Sequence, residues 1–577
     1  MHCIATAESH STVEMEEGYW LSLSLGFIAL STTILAFWFL NPSFVSGGNR
    51  KPKKQQLPPG PWALPIIGSL HHLFLSRLPH HRTMMQLSRR HGPLMLLRLG
   101  EVPTVVVSGA EAAELVMKAH DPAFASRPRG ATQDIFGGGR DITFAPYGAA
   151  WRQMRKICVV ELLSARQVRR MEHIRADEAG SIVRSIAVAG GVVNVGEKVM
   201  RVANDVVSRA VFGGKFARRQ EEYLRELDEA LALAGGFCLV DLFPSCPQRL
   251  LRWISDDERR MRRSHGRIQQ IIDDIVDERK AAARAAAASS DEGGRRSVND
   301  DEDLLEVLLR LQEEDSLEFP LTTDTMGGIL FLTPAIIESQ PQDSYSCVSL
   351  RRDTEEECKD LLFQSTEPKT IERMDMFAAA TDTTGTVLEW AMSELVRHPK
   401  AMAKAQTEIR EVLGDRAVIT NSDFGELHYM RMVIKETLRM HPPAPLIPRT
   451  TREDCKIMGY DMLKGTNVYI NVFAVSRDPK YWKNPEEFDP ERFENLHDMD
   501  YHGTHFEYTP FGAGRRQCPG ILFGVSTIEI VLANLLYHFD WVLPGGLSPE
   551  SLDMSEKFGI TVSRRSDLQL RAIQRLC

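Results

Sequence analysis

The chain lacks any Cys-x-x-Cys pair: its nine cysteines are scattered without even spacing. That argues against a disulfide framework or a zinc cluster and suits a reducing, cytosol-facing compartment. It also lacks an excess of positive charge. A net charge of -9 and a pI near 6.1 give no global attraction for nucleic acid or acidic lipid, so any basic function must be local. No fixed-period repeat is present, which removes solenoids and propellers. Nor is there a G-x-G-x-x-G element of the kind that opens a dinucleotide-binding fold.

What is there is hydrophobic material in quantity. With 577 residues, 43% of them hydrophobic, the chain can bury a large core as one big domain or several. The stretch "WLSLSLGFIALSTTILAFWFL", residues 20–40, carries no charge and has the length needed to cross a bilayer. Glu14, Glu16 and Glu17 precede it and Arg50, Lys51, Lys53 and Lys54 follow, so the positive-inside rule places the bulk of the chain in the cytosol. The run is long, has no basic leader and ends without a small-residue cleavage site, which disfavours a cleaved signal peptide. Residues 1–19 read as a leader, within which Met15 would itself begin a typical anchor. Residues 41–68 read as a basic and proline-rich hinge, stiffened by Pro58, Pro59, Pro61 and Pro65. Residues 69–577 form the expected globule.

Beyond residue 80, "MMQLSRRHG", "AAELVMKAH", "YLRELDEALALAG" and "MRRSHGRIQQIIDDIVDERKAAA" place apolar residues at helical spacing. "LMLLRLGEVPTVVVSG" reads as a hairpin, and "TNVYINVFAV" and "FGITVSR" read as strands. The expected fold class is therefore mainly α with small β-sheets. "RAAAASSDEGGRRSVNDDED" is a charged low-complexity surface loop.

The stretch richest in chemistry is "PFGAGRRQCPGILFGVSTIEIVLANLLYHF". Cys518 follows a Gly-rich loop and precedes Pro519, a good first residue for the apolar helix beyond it. Amide groups and the helix dipole favour a thiolate there, and Arg515 and Arg516 are expected to add to this. A lone thiolate on a rigid loop is one way to offer an axial ligand to haem iron. A buried core cysteine is the bland alternative for Cys518 taken by itself.

Phe511, Gly514, Arg516, Cys518 and Gly520 fit F-x-x-G-x-R-x-C-x-G. On these residues the chain resembles a plant microsomal cytochrome P-450, a haem-thiolate monooxygenase preceded by an N-terminal transmembrane helix, and the resemblance runs from the anchor to the C-terminus. It implies haem b ligated through iron by Cys518. Glu436 and Arg439 in "KETLRMHPPAPLIPR" match E-x-x-R, and with Arg492 of "FDPERF" the resemblance implies a buried structural triad; taken alone, the pair could be a helical ion pair. "WRQMRK" matches W-x-x-x-R, which makes Trp151, Arg155, Arg449 and Arg516 implied haem-propionate contacts, suited by the arginine fork.

"AATDTT" resembles the family's oxygen-activating motif, with Ala379 first, Asp382 as acid and Thr383 as hydroxyl, and Ala380 in place of the usual glycine. Read alone, Asp-Thr-Thr in a helix could be a solvated face. Substrate contacts implied by position are Phe136, Ala378, Ala379, Leu446 and Ile560, an apolar set fitting a hydrophobic small molecule. The stretches flanking the oxygen motif are most similar to cereal members of specialised metabolism, some of which oxidise diterpenoids. The resemblance implies a single-pass protein of the endoplasmic reticulum membrane, electrons from NADPH through a separate flavoprotein reductase, a possible cytochrome b5 partner and no nucleic acid.

One segment departs from the pattern. Joining Phe331 to Asp375 would give one helix of 33 residues, about 50 Å long. The 43 residues of 332–374 contain Pro334, Pro341, Pro368 and the run "RRDTEEECKD", none of which continues an apolar helix face. They read either as unspliced or misannotated sequence or as a genuine surface loop. Three functional readings follow: a monooxygenase, a haem-thiolate isomerase or dehydratase acting on a peroxide, and a membrane polypeptide that the insertion keeps inactive.

Overall fold

In the computed structural model, the described residues are 55–137, 141–215, 219–235, 237–289, 303–313, 375–414, 423–496 and 498–575. The 20–40 stretch and the 332–374 segment lie outside them. A four-stranded sheet runs in the order β1 (Leu94–Leu99), β2 (Val102–Val107), β4 (Asn467–Asn471), β3 (Leu446–Thr450). The hairpin read from the sequence is β1 and β2, antiparallel with Leu94 opposite Val107, while β4 runs parallel to β2. The strand expected across "TNVYINVFAV" ends at Asn471, whose side chain accepts from the Ala474 N–H and starts a short helix over Val472–Val475. "FGITVSR" is strand only at Ser563–Arg564, because the residues before it bend to line a cavity. Part of the stretch read as hinge lies along the sheet: the Leu96 N–H donates to the Pro59 carbonyl at 2.8 Å. A Cβ on Gly60 would stand 2.0 Å from the Leu96 oxygen, so only glycine permits that approach.

Helices supply most of the mass. They include α1 (Ala149–Ile157), α2 (Glu172–Ala189), α3 (Val195–Phe212), α4 (Gln220–Leu233), α5 (Asp257–Ser289), α6 (Asp375–Arg397), α7 (His428–Met440) and α8 (Ile521–His538). The low-complexity stretch expected as loop continues α5 as far as Ser289, consistent with the high helix propensity of its alanines. α3 shows how local sequence sets the ends: the Asn194 side chain accepts from the Glu197 N–H at 3.1 Å, and Gly213, at φ +69°, closes the C-terminus.

α6 lies against α3 at a glycine. A Cβ on Gly385 would meet the Met200 sulfur at 2.9 Å and its Cα at 3.1 Å, and beside it the Asn204 amide donates to Thr381 Oγ1 at 3.3 Å. α8 is long and apolar enough to cross a membrane by composition, yet it is mostly buried inside the globule, with Ile530, Val531, Leu532, Leu535 and Leu536 fully enclosed. It is a core helix, apolar on nearly every side because α2, α6 and α7 surround it.

Candidate active site

The loop before α8 is held in one shape by backbone chemistry. Gly512 and Gly514 take positive φ of 68° and 70°, the Gln517 N–H donates to the Gly514 carbonyl, and the Cys518 N–H donates to the Phe511 carbonyl, both at 3.0 Å. A Cβ on Gly514 would stand 2.1 Å from the Met117 carbonyl oxygen, so the loop can dock there only with glycine. Helix α8 starts at Ile521 with Gly520 as its N-cap, later than Pro519 suggested.

The two arginines beside Cys518 act elsewhere than expected. Arg515 donates through its backbone N–H and its guanidinium to Asp121 Oδ2 at 3.0 and 2.9 Å, and it also bonds Tyr147. Arg516 spends its guanidinium on the carbonyls of Ala125, Ile142 and Ala145. The forces on the sulfur are burial, which pushes the Cys518 thiol up, opposed by the Gly520 N–H and by Arg155 of α1. The stabilising cation is thus Arg155, one turn beyond Trp151, rather than the sequence neighbours.

Cys518 opens into a cavity of about 370 Å³. Phe511, Gly520, Trp151, Arg155 and Arg516 line it together with Cys518, and Ala379, Leu446 and Ile560 line it too. Ala378 does not line it. In a helix each residue turns about 100° from the last, and Ala378 is packed in the core with Phe377 while Ala379 and Ala380 meet the cavity. Phe136 belongs to the helix Ala131–Gly137, but its side chain lies outside the described set.

Thr383 lines the cavity and donates to the Ala379 carbonyl at 2.6 Å. Asp382 does not: it is hydrogen-bonded by Thr561, its Oδ2 is buried without a partner, and burial raises its carboxyl to about 6. The acid and the alcohol are adjacent in sequence and point to different surroundings.

A cluster of buried guanidiniums sits beside the cavity. Arg127, a residue no motif indicated, donates to the carbonyls of Thr143 and Pro448. Burial pushes it down to about 10, partly offset by Asp141. Arg516 falls to about 8, through burial and then Arg127, and buried Arg449 is driven well down by burial, Arg127 and Arg516. Arg449 Nη2 is buried with no partner. Cations that depress one another and leave a donor unmatched form a site built for anionic oxygens, which is the chemistry of haem propionates. Trp151 stands with this group, its ring 4.1 Å from the Arg516 guanidinium carbon and its Nε1 donating to the Ile142 carbonyl at 2.9 Å. The donor set therefore fits haem, with Arg127, Arg155, Arg449 and Arg516 able to hold its carboxylates and Cys518 able to supply the thiolate.

Away from the cavity, Glu436 receives a two-pronged bond from Arg439, Nε to Oε2 at 2.7 Å and Nη2 to Oε1 at 2.8 Å, and a third from Arg492 Nε at 2.9 Å. The Arg439 and Glu436 side chains are fully buried. Arg439 also donates to the carbonyls of Ser476, Pro485 and Glu487, so one guanidinium ties α7 to the segment ahead of Arg492.

The cytochrome P450 family pattern matches residues 58–331 and 333–567. The chain belongs to the cytochrome P450 family. It is a haem-thiolate monooxygenase by that membership, with relatives of known activity in plants. It is 42% identical to desmethyl-deoxy-podophyllotoxin synthase of Sinopodophyllum hexandrum, over 90% of this chain and 92% of that one. It is 41% identical to ent-isokaurene C2/C3-hydroxylase of Oryza sativa subsp. japonica, over 89% and 92%. It is 40% identical to premnaspirodiene oxygenase of Hyoscyamus muticus, over 91% and 94%. A zebra fish cytochrome P450 structure with abiraterone superposes with a TM-score of 0.64, covering 86% of this chain and 100% of that one at 23% identity, which establishes the P450 fold.

Proposed function

We propose that this P450 is anchored in the endoplasmic reticulum membrane by residues 20–40 and takes electrons from a separate NADPH-dependent flavoprotein reductase, with cytochrome b5 as a possible second donor. It inserts one oxygen atom into a hydrophobic terpenoid of the diterpenoid class. The observation that carries this reading is the cavity, with Cys518 and the arginine cluster on one side and Ala379, Ala380, Val387, Leu446 and Ile560 on the rest. Bound haem supplies reductive activation of dioxygen, so that one oxygen atom enters the substrate and the other leaves as water. Cys518 is the proposed iron ligand.

The chain's own residues then have separate tasks. The apolar wall desolvates the substrate and leaves its orientation to shape. Thr383 donates its hydroxyl hydrogen bond to the Ala379 carbonyl, which leaves its oxygen free to accept from a water molecule in the cavity it lines. Asp382, raised to about 6 by burial, holds a proton at its carboxyl below that pH and releases it above. It thus reaches the cavity only through water or a rotamer change, whereas Thr383 is already there.

The test is NADPH-dependent turnover of ent-isokaurene and premnaspirodiene by microsomes containing a plant reductase and whichever version of the chain, full or lacking residues 332–374, gives the thiolate band, with omission of NADPH as control. Rearrangement or dehydration of an added organic hydroperoxide without NADPH, with no NADPH-dependent turnover of the hydrocarbons, would favour the isomerase or dehydratase reading instead. The Thr383→Ala variant is expected to keep its haem and lose roughly tenfold or more of the product formed per NADPH, the difference appearing as peroxide. Unchanged coupling would remove Thr383 from the mechanism.

The 332–374 segment is proposed as unspliced or misannotated sequence. Its support is that Pro334, Pro341, Pro368 and the run "RRDTEEECKD" cannot continue an apolar helix face, and that the family match is broken at residue 332. Expression of the chain beside one lacking residues 332–374 is expected to give the red-shifted thiolate carbon-monoxide band only from the shortened version. Equal bands from both would make the segment a tolerated loop.

A further inference from the structure

The cavity has one polar wall residue that neither the anionic cradle nor the oxygen motif uses. Tyr469 lies on β4, where Val468 and Ile470 are fully buried against Val105 and Val107 of β2. Alternation along a strand turns Tyr469 to the opposite face, beside its cross-strand partner Val106 and the cluster holding Leu97, Leu242 and Phe237. There it lines the cavity and keeps part of its surface open although both flanking residues are sealed. Its ring lies 6.3 Å from Phe237, which lies 6.1 Å from Phe558, itself a cavity residue.

The phenol oxygen has no hydrogen-bond partner among the described residues, yet it is not closed off from accessible space. A buried tyrosine normally finds a partner for its hydroxyl. Asp241, the nearest charge acting on it, is committed elsewhere: its carboxylate accepts from the Thr132 hydroxyl and N–H and so secures the start of the helix Ala131–Gly137. Burial and that neighbouring charge push the phenol up to about 12, so it is a neutral donor throughout the working pH range.

We propose that Tyr469 hydrogen-bonds an oxygen function already present on the substrate, so that the enzyme takes a partly oxygenated terpenoid in preference to the parent hydrocarbon. The inference rests on the terpenoid reading above. It places the reaction after a step that supplies the first oxygen, either an earlier C–H oxidation or a cyclisation terminated by water. An alcohol or ketone anchored at the Phe237 side fixes which carbon reaches the Cys518 side.

Spectral titration reads binding without turnover and uses the haem-loaded protein, the full chain or, where that gives no thiolate band, the version lacking residues 332–374, which then serves as wild type. The probes are ent-isokaurene and a monohydroxylated ent-isokaurene, each added to wild type and to Tyr469→Phe. Wild type is expected to bind the alcohol about tenfold tighter than the hydrocarbon, and Tyr469→Phe to bring the two within about twofold while hydrocarbon affinity stays unchanged. The variant loses no bond within the protein, and its carbon-monoxide band reports that it is folded. Equal wild-type affinities, or a preference that survives in Tyr469→Phe, overturn the anchor and leave the terpenoid reading standing. A wild-type protein that responds to neither probe overturns both.

Discussion

Cys518→Ala is expected to eliminate the red-shifted carbon-monoxide band and all NADPH-dependent turnover, while leaving a protein of native secondary structure. The loop hydrogen bond at this position is made by the backbone, Cys518 N–H to the Phe511 carbonyl, and survives the change. What is lost is the sulfur alone, in a pocket where, among the described residues, the Gly520 N–H and Arg155 favour its negative charge. Among the described residues no other cysteine lines the cavity: Cys158 and Cys238 are buried in a core cluster, and Cys246 and Cys455 lie outside the lining. The check is the difference spectrum of purified protein beside circular dichroism, and a retained thiolate band would overturn the ligand assignment.

Arg439→Ala is the change with the largest expected effect on folding. It strips two bonds from Glu436, leaves that carboxylate buried with Arg492 as its remaining cation, and frees the carbonyls of Ser476, Pro485 and Glu487 from this donor. Removing one partner from a fully buried ion pair typically destabilises by about 3–5 kcal/mol. Against a total stability on the order of 5–15 kcal/mol, that reduces the yield of haem-loaded protein sharply. Arg439→Lys keeps the charge and loses the fork, so it is expected to fall between the two. The measurement is haem per milligram of expressed protein together with the urea midpoint. Normal values for Arg439→Ala would show that the triad has no structural role.

Much of the site could be read from the sequence because it depends on short-range spacing. The loop at Cys518, the E-x-x-R pair and the W-x-x-x-R pair each occupy one element, and their spacing alone sets which residues are neighbours. Side-chain direction was less legible. Ala378 and Ala379 differ by one helical step, and only the tertiary packing of α6, which buries Phe377 and Ala378 in the core, decides which of them meets the cavity. Arg127 and Tyr469 come from segments far from the motifs in sequence. One follows "AFAS" and the other sits in an ordinary strand, and neither carries a local signal of the cavity that the sheet and loops build around it. Arg515 misled for a related reason: adjacency to Cys518 suggested a shared field, whereas Asp121, 394 residues earlier in sequence, claims its charge.

The close approach at Gly385 divides the cavity walls by stiffness. Where α6 rests on Met200 of α3 with no room for a methyl group, and Asn204 pins Thr381, any sliding or rotation of α6 would have to displace backbone. The wall bearing Thr383 therefore behaves as a fixed reference surface. Accommodation of differently shaped substrates falls to the rest of the lining, where the segments carrying Gln133, Phe144, Gly235 and Phe558 lie in short helices, turns and loops. Sequence variation that alters product pattern without loss of turnover should accumulate in those compliant segments, and laboratory diversification aimed at α6 should yield inactive protein more often than new selectivity.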